Sequence, residues 1–415
     1  MIAMAAEYTT RTREEAKLLS PRVAGILSEY HWRRVFQQFE CLMSDSDHGT
    51  KGVEPPIIPY IPAARRSIVY YGNGENGSYN HHNQIARFKG LYRFAWSNGL
   101  RNEEDAGQRV LIASSPDGRV WSDPDVVVDI DESASEWAHN CVAMHATEDM
   151  LYIVVMTEET EHDESAVGMR RINPETAYVD LYGSADGVHF EKVFSYGSDI
   201  KWIFEAPRLT EEGRLLCVCT TRSQGPAILL WPGDDLLAQP EFIRVPEPEG
   251  ASFPYGESTW YQLDSGRIVV FWRDEGASCR VYVNHSDDGG RTWSTPVLSD
   301  IPDSMSRLYA GRLSDGRYYL VNNAIPTLLD RRPLMLLLSD DGVQFDDVYM
   351  VNDSPVEMRR KGLLKINGHQ YPCCLVDGDR LLVAYDANKE DIMCEVIDTT
   401  SIPRRTPDTA KEEDA

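Results

Sequence analysis

A short motif that closes β-hairpins recurs four times along the chain and constrains its fold more than any other feature. The clearest copy is the Asp box Ser286–Trp293, with the sequence SDDGGRTW. Weaker copies lie at Ser114–Trp121, Ser184–Phe190 and Ser339–Phe345, each with a glycine three residues before an aromatic residue. Glycine supplies a positive φ, serine and aspartate side chains bond to turn amides, and the aromatic ring covers the turn. The sequence therefore predicts repeated hairpins of one design.

The spacing of these motifs predicts the architecture. Their aromatic residues stand at positions 121, 190, 293 and 345, separated by 69, 103 and 52 residues. These intervals correspond to one, two and one repeats of roughly 50 to 65 residues, and strand-rich repeats of that length are typical of β-propellers. We therefore expect an all-β protein of four-stranded blades.

Six inner strands align with the same period. Their first polar residues are His82, His139, Glu205, Glu257, Arg307 and Gln370, and successive starts differ by 50 to 66 residues. Six blades are predicted, with a seventh in residues 33–72 as the alternative. Only three strands follow Gln370, so we expect Ser67–Tyr71 to complete the last blade and close the ring without a long exposed edge.

Outside the propeller, the chain has a helical N-terminal pattern and a polar C-terminus. Residues Arg11–Phe39 have helical spacing, with Ser20 as the cap and Pro21 in the first turn. We assign residues 1–64 to an N-terminal helical segment and linker, 65–405 to the propeller, and 406–415 to a disordered tail.

Composition narrows the class of partners. The formal net charge is −25, which disfavours nucleic acid and anionic membranes. No secretory signal or membrane-length apolar run is visible, so we expect a soluble cytoplasmic protein. The eight cysteines fall mainly in strand-like runs without zinc-type spacing, which favours buried free thiols.

The inner-strand starts, and the loops before them, should ring one mouth of the propeller. They carry the candidate residues His81, His82, His139, Glu205, Tyr255, Glu257, Arg307, Gln370 and Tyr371. We assign acid and base roles to His82 and His139, because histidine titrates near neutral pH, with Tyr255 as a substitute for either. Adjacent residues on a strand point to opposite faces, so only one of His81 and His82 is expected to face the centre, unless the strand has not yet begun there.

Cations and aromatic residues near this ring are candidates for binding a substrate. Arg273 follows a second strand, and together with Arg307 it could hold an anionic sugar. Trp137 and Trp260 could stack on sugar faces. A metal bound by His82 and His139 is disfavoured, because no spacing supplies a third ligand. We assign no metal and no cofactor.

The Asp boxes resemble those of sialidases, which implies a sialidase-like propeller. Sialidases carry an Arg-Ile-Pro-like element, three arginines, a tyrosine with a glutamate partner, and an aspartate acid. The first inner strand here reads HHNQIA from His81 and has no arginine before Arg87. Other segments resemble the seven-bladed propeller enzymes that include rhamnose-glucuronate lyases and an α-L-rhamnosidase; they are Tyr79–Gln84, Gly107–Leu111, Arg273–Gly276, Leu320–Asn323, Gln370–Pro372 and Asn388–Ile392. This resemblance implies that His82, or its neighbour His81, is catalytic.

Together these patterns predict an enzyme that acts on a carbohydrate. The first hypothesis is exo-acting cleavage of a uronate-containing oligosaccharide by β-elimination, with a base, an acid and a cation that neutralises the carboxylate. The second is hydrolysis with Glu205 and Glu257 as the carboxylate pair. The third is a propeller that binds glycans without catalysis.

Overall fold

The computed structural model describes residues 15–43, 57–129, 136–163 and 169–404, and their side chains except at 37–43, 161–172 and 174. The predicted tail at 406–415, residues 11–14 of the predicted helix and most of the predicted linker lie outside the described residues. Among the described helices, none combines the length and the apolar composition needed to cross a bilayer.

Six antiparallel sheets follow one another around the ring. Strand β1 (Arg65–Tyr70) precedes blade one, which contains β2 (Tyr79–Phe88), β3 (Leu91–Gly99), β4 (Arg109–Ser115) and β5 (Asp125–Val128). Blade two contains β6 (Trp137–Ala146), β7 (Leu151–Asp163), β8 (Met169–Ser184) and β9 (Glu191–Gly197). Blade three contains β10 (Ile200–Ile203), β11 (Arg208–Leu209), β12 (Leu215–Thr221), β13 (Gly225–Leu230) and β14 (Glu241–Arg244).

The second half of the ring is more regular. Blade four contains β15 (Thr259–Gln262), β16 (Ile268–Trp272), β17 (Arg280–Ser286) and β18 (Val297–Pro302). Blade five contains β19 (Tyr309–Arg312), β20 (Tyr318–Asn322), β21 (Leu334–Ser339) and β22 (Asp347–Asn352). Blade six contains β23 (His369–Asp377), β24 (Arg380–Ala387) and β25 (Asp391–Asp398), and β1 is its fourth strand.

The closing strand lies where the sequence places it. Strand β1 pairs antiparallel with β25, and Ser67 stands opposite Cys394. The chain therefore closes its ring with a strand from before blade one, which leaves no gap between blades six and one. The six-blade prediction is confirmed. The alternative seventh blade is wrong for the described part of residues 33–72, which supplies the end of a helix and strand β1.

Blade three departs from the pattern because its inner strand is divided. Both β10 and β11 pair with β12, and the segment between them contains Pro207. Proline has no N–H for the ladder, so the strand cannot continue through this position. The interruption places Glu205 on irregular backbone.

An N-terminal strap covers the outer strands of blades four and five. Helix α1 (Pro21–Met43) begins after Ser20, whose Oγ accepts a hydrogen bond from the Val23 amide at 3.3 Å. The predicted helix start at Arg11 is too early, because residues 15–20 are extended and Leu19 pairs with Phe345. Val23 and Leu27 are buried in the cluster that also contains Phe345. The first two turns of the helix therefore pack into the propeller's own core.

Candidate active site

Two sets of chain segments meet at one mouth of the propeller. The inner strand of each blade starts there, and because the strands are antiparallel, the second strand ends there. The Asp-box turns between third and fourth strands therefore lie at the opposite mouth. The site is built from inner-strand starts and from the loops that follow second strands.

Bulges in two inner strands aim their side chains into the funnel. The register of β2 shifts between His81 and Gln84, and that of β23 shifts between Gln370 and Cys373. Within these bulges His82 has φ 58° and Tyr371 has φ 56°, which non-glycine residues adopt at a cost of about 1–3 kcal/mol. The bulge breaks strand alternation, so His81 and His82 pack together with ring centroids 4.5 Å apart. The expectation that they point to opposite faces is wrong for this reason.

Tyr371 is the centre of a buried charged cluster. Its hydroxyl donates a short hydrogen bond to Glu257 Oε1 and accepts one from Arg273 Nη1 at 2.8 Å. Arg273 also forms ion pairs with Glu257 and Glu275. Burial raises the pKa of Tyr371, while the positive charges of Arg273 and Arg331 oppose that rise. The cluster therefore joins a phenol, a carboxylate that can take its proton, and a guanidinium that can stabilise a phenolate.

His81 lies against the same tyrosine. Its ring centroid is 3.8 Å from that of Tyr371, and its Nδ1 is 2.7 Å from Asp386 Oδ2. Its Nε2 is buried and has no hydrogen-bond partner in the described part of the chain. Burial lowers the pKa of His81 well below its usual value, and the charge of Lys389 lowers it further. His81 is therefore held neutral.

The two histidines predicted to form an acid–base pair are in different surroundings. His82 contacts Ser97 through Nδ1 at 3.0 Å and stacks on Phe204. His139 instead places its Nδ1 2.9 Å from Thr157 Oγ1, one blade away. The neighbour of His82 is therefore His81. Burial lowers the pKa of both His82 and His139.

Two arginines in the funnel are buried without a carboxylate partner. Arg307 is 1% exposed and Arg331 is 2% exposed, and neither forms an ion pair with any described residue. Arg331 donates to Gln370 Oε1 at 2.6 Å, so Gln370 supports the arginine. Each guanidinium also has one nitrogen without a hydrogen-bond partner, Arg307 Nη2 and Arg331 Nε. A buried, unpaired guanidinium is costly unless a ligand supplies the anion.

Acidic residues from the loop after β3 complete one wall. Glu103 accepts two hydrogen bonds from Lys389 Nζ, at 2.5 and 2.6 Å. Burial raises the pKa of Glu104 well above its usual value, and the charges of Glu158 and Glu103 add to the rise. The raised pKa of Glu104 favours the protonated carboxyl that a general acid requires.

The other predicted site residues divide between core and rim. Glu205 forms a 2.5 Å ion pair with Arg208, which donates to backbone oxygens of the next two blades. Trp260 is buried in a hydrophobic cluster, so the structure places it in the core and not on a sugar-binding face. Trp137 is half-buried against Tyr178.

Tyr255 is the one predicted aromatic residue that stands at the mouth of the cluster. It is 39% exposed, and the Arg273 guanidinium lies 5.9 Å from its ring centroid. Its exposed ring suits contact with a sugar.

Several residues that the fold brings to the funnel were not predicted from the sequence. They are Glu103, Glu104, Glu158, Arg331, Asp386 and Lys389. All of them lie on the later part of a second strand or in the loop that follows it. Arg273 was predicted as a site residue because it occupies the same position in its blade. Applying that reasoning to every second strand would have found them.

The chain matches a known repeat family over most of its length. Residues 91–383 match the family model described as a BNR repeat-like domain. No curated protein is significantly similar in sequence.

Several solved structures share the fold. A sialidase superposes with a TM-score of 0.57 at 19% identity, covering 82% of this chain and 33% of that chain. This chain thus spans about a third of that sialidase. A protein of unknown function from Dyadobacter fermentans has a TM-score of 0.61 at 17% identity, covering 81% and 99%. The intramolecular trans-sialidase from Ruminococcus gnavus, solved with oseltamivir carboxylate, has a TM-score of 0.60 at 13% identity, covering 82% and 99%. The predicted sialidase-like propeller is confirmed.

Proposed function

Because the chain belongs to the BNR repeat-like domain family and its funnel holds a tyrosine, a glutamate and several arginines, we propose that it is a glycoside hydrolase acting on an acidic sugar. The observation that carries the proposal is the Tyr371–Glu257–Arg273 cluster. Sialidases use a tyrosine as the nucleophile in place of a carboxylate. A sialidase is among the proteins of similar structure, which agrees with this chemistry.

In the proposed first step, Tyr371 attacks the anomeric carbon of the terminal sugar. Glu257 takes the phenolic proton as the bond from oxygen to carbon forms, and Arg273 stabilises the developing phenolate. The bond from the anomeric carbon to the leaving oxygen breaks, and Glu104 donates its proton to that oxygen.

In the second step, the Glu104 carboxylate removes a proton from water. The water oxygen bonds to the anomeric carbon, Tyr371 departs, and Glu257 returns the proton to it. Two displacements at one carbon retain the anomeric configuration.

The proposed substrate class rests on the unpaired cations. A carboxylate on the sugar would pair with Arg307 and Arg331, which have none within the described protein. Arginine binds carboxylates through two parallel N–H donors. The uronate-containing oligosaccharide predicted from the sequence fits this requirement, with cleavage at the terminal sugar.

A second candidate reaction, β-elimination, is supported by His81. Its neutral imidazole lies beside Tyr371 and is held by Asp386, so Nε2 could remove the proton next to a uronate carboxylate. A double bond would form between the carbon that loses this proton and its neighbour as the neighbour's bond to the leaving oxygen breaks, and Tyr371 would protonate that oxygen.

The test is incubation of the purified protein with a panel of acidic oligosaccharides, read by mass spectrometry and NMR. Hydrolysis adds one water to the products and retains the anomer, whereas elimination gives a product lighter by that water. We expect Tyr371→Phe to lower kcat at least about 100-fold with little change in KM. The matched control Tyr261→Phe loses only a bond to the Gly342 carbonyl at the opposite mouth and should keep wild-type kcat. Full activity in Tyr371→Phe would contradict both reactions.

A further inference from the structure

Three side chains that can bind a metal ion lie close together in the candidate active site. One ligand atom from each of His81, His82 and Glu103 lies within 4.8 Å of the other two. Two imidazoles and one carboxylate form a ligand set used for Zn²⁺ and for other first-row divalent ions. We propose that these three residues bind one divalent transition-metal ion, with Zn²⁺ as the best match.

His81 is oriented as a metal ligand would be. Its Nδ1 lies 2.7 Å from the Asp386 carboxylate, and metal-binding histidines characteristically donate their second ring N–H to a carboxylate. When Nδ1 donates its proton to Asp386, the lone pair remains on Nε2. That nitrogen is buried, has no hydrogen-bond partner among the described residues, and lies 3.7 Å from Glu103 Oε1.

His82 is fixed in the same manner. Its Nδ1 lies 3.0 Å from Ser97 Oγ, which also accepts a hydrogen bond from the Cys141 amide at 2.9 Å. When the Ser97 oxygen accepts the His82 Nδ1–H through its remaining lone pair, Nε2 keeps its own lone pair for a ligand. The bulge that sets φ of His82 to 58° brings the two imidazoles to one side of the strand.

Lys389 competes with the ion for Glu103. Its ammonium donates two hydrogen bonds to that carboxylate, at 2.5 and 2.6 Å, and it neutralises the charge the metal would use. Ligand atoms about 2.1 Å from a tetrahedral zinc lie about 3.4 Å apart, so binding requires side-chain shifts of about 1 Å. The metal would displace the ammonium or share the carboxylate with it.

The experiment measures metal binding directly. The chelator-treated full chain is titrated with Co²⁺, read by its visible absorption, and the bound Co²⁺ is then displaced with Zn²⁺. We expect one equivalent to bind and His81→Ala or Glu103→Gln to abolish it. Loss of the supporting carboxylate in Asp386→Asn should weaken binding about 10- to 100-fold. Lys389→Met removes the competing cation and should tighten it.

Surface histidines provide the control, since they can also bind these ions weakly. His189 and His285 lie at the Asp-box turns, where the structure places them at the surface, and the double variant His189→Gln with His285→Gln should keep the full equivalent. Circular dichroism and Tm identify any variant that fails to fold. Absence of binding by the wild-type chain would overturn the proposal. Binding of unchanged strength in folded Glu103→Gln and Asp386→Asn would overturn it as well.

Discussion

At the scale of single residues, two unpaired arginines in the funnel lower the stability of the empty protein and can bind an anion. Arg307 and Arg331 are buried without carboxylate partners, whereas Arg208, also near the axis, is paired with Glu205 at 2.5 Å. An unpaired buried charge destabilises the empty protein, and a ligand carboxylate relieves that cost.

Arg307→Met should therefore stabilise the unliganded protein. We expect an increase of about 1–3 kcal/mol in the free energy of unfolding, because methionine fills similar volume without a charge. Denaturant unfolding measures it, and binding of acidic oligosaccharides should weaken in parallel. Arg208→Met is the matched control, and it should destabilise by about 3–5 kcal/mol because Glu205 loses its partner. Equal destabilisation by both substitutions would show that Arg307 is not an unpaired charge.

Glu158 should make stability depend on pH. It is buried, one of its oxygens has no partner, and burial raises its pKa from the ordinary glutamate value. The folded state therefore holds a proton that the unfolded state releases. The stabilisation of the folded state by this proton is complete below the pKa that Glu158 has in the unfolded state. It is lost as the pH rises through the higher pKa that Glu158 has in the folded state.

Glu158→Gln should remove that loss. At pH 9 we expect the variant to exceed the wild type by about 1–3 kcal/mol, and at pH 4 the two should be similar. Thermal unfolding across this range measures the difference. A parallel pH profile in both proteins would mean that Glu158 is ionised in the folded state.

At the scale of elements, the four Asp boxes are structural turns. In the box at Ser286, that hydroxyl accepts from the Gly290 amide at 2.9 Å, and Asp288 Oδ1 accepts from the amides of Arg291 and Thr292. Burial by itself would raise the pKa of Asp288, but the hydrogen bonds from Thr292, Ser286 and Arg291 lower that pKa to about 2. The boxes lie at the mouth opposite the candidate active site, so they support the blades without touching a substrate.

Ser286→Ala should lower stability by about 1–2 kcal/mol and leave kcat/KM unchanged. The reason is that the Gly290 amide loses its acceptor inside the turn. The exposed Ser265, in a turn of the same blade, serves as control, and Ser265→Ala should change stability by less than about 0.5 kcal/mol. A drop in kcat/KM without a drop in stability would place the box in the catalytic machinery.

At the scale of the whole molecule, closure of the ring depends on a strand that is distant in sequence from its partners. Strand β1 buries Val69 in the cluster shared by blades five, six and one, while the adjacent Ile68 faces solvent. The N-terminal strap adds Val23 and Leu27 to the cluster of blades four and five. Two N-terminal segments thus help to hold the ring together.

Val69→Asp should destabilise the whole protein by about 3 kcal/mol or more, because a carboxylate enters the core at a residue that is 8% exposed. Differential scanning calorimetry should show a single transition at lower temperature. Ile68→Thr, at a residue that is 53% exposed, is the matched control and should change stability by less than about 0.5 kcal/mol. Two separate transitions in Val69→Asp would indicate that the blades unfold independently.

The sequence by itself determined the architecture. Turn chemistry and strand patterns are local and repeat with a fixed period, so the boxes at Ser286–Trp293 and its relatives predicted the propeller, its six blades and the closing strand. Inner-strand alignment also found His81, Glu257 and Tyr371, since their positions depend only on the start of each blade.

Only the tertiary structure decided which of these residues meet. The contact between Tyr371 and Glu257 spans 114 residues, and that between His81 and Asp386 spans 305. Such contacts depend on bulges and on the angle at which blades pack, which no local pattern encodes. For the same reason the sequence predicted His139 as the partner of His82. In the structure, ring closure and the bulge in β2 instead place His81 and Glu103 beside His82.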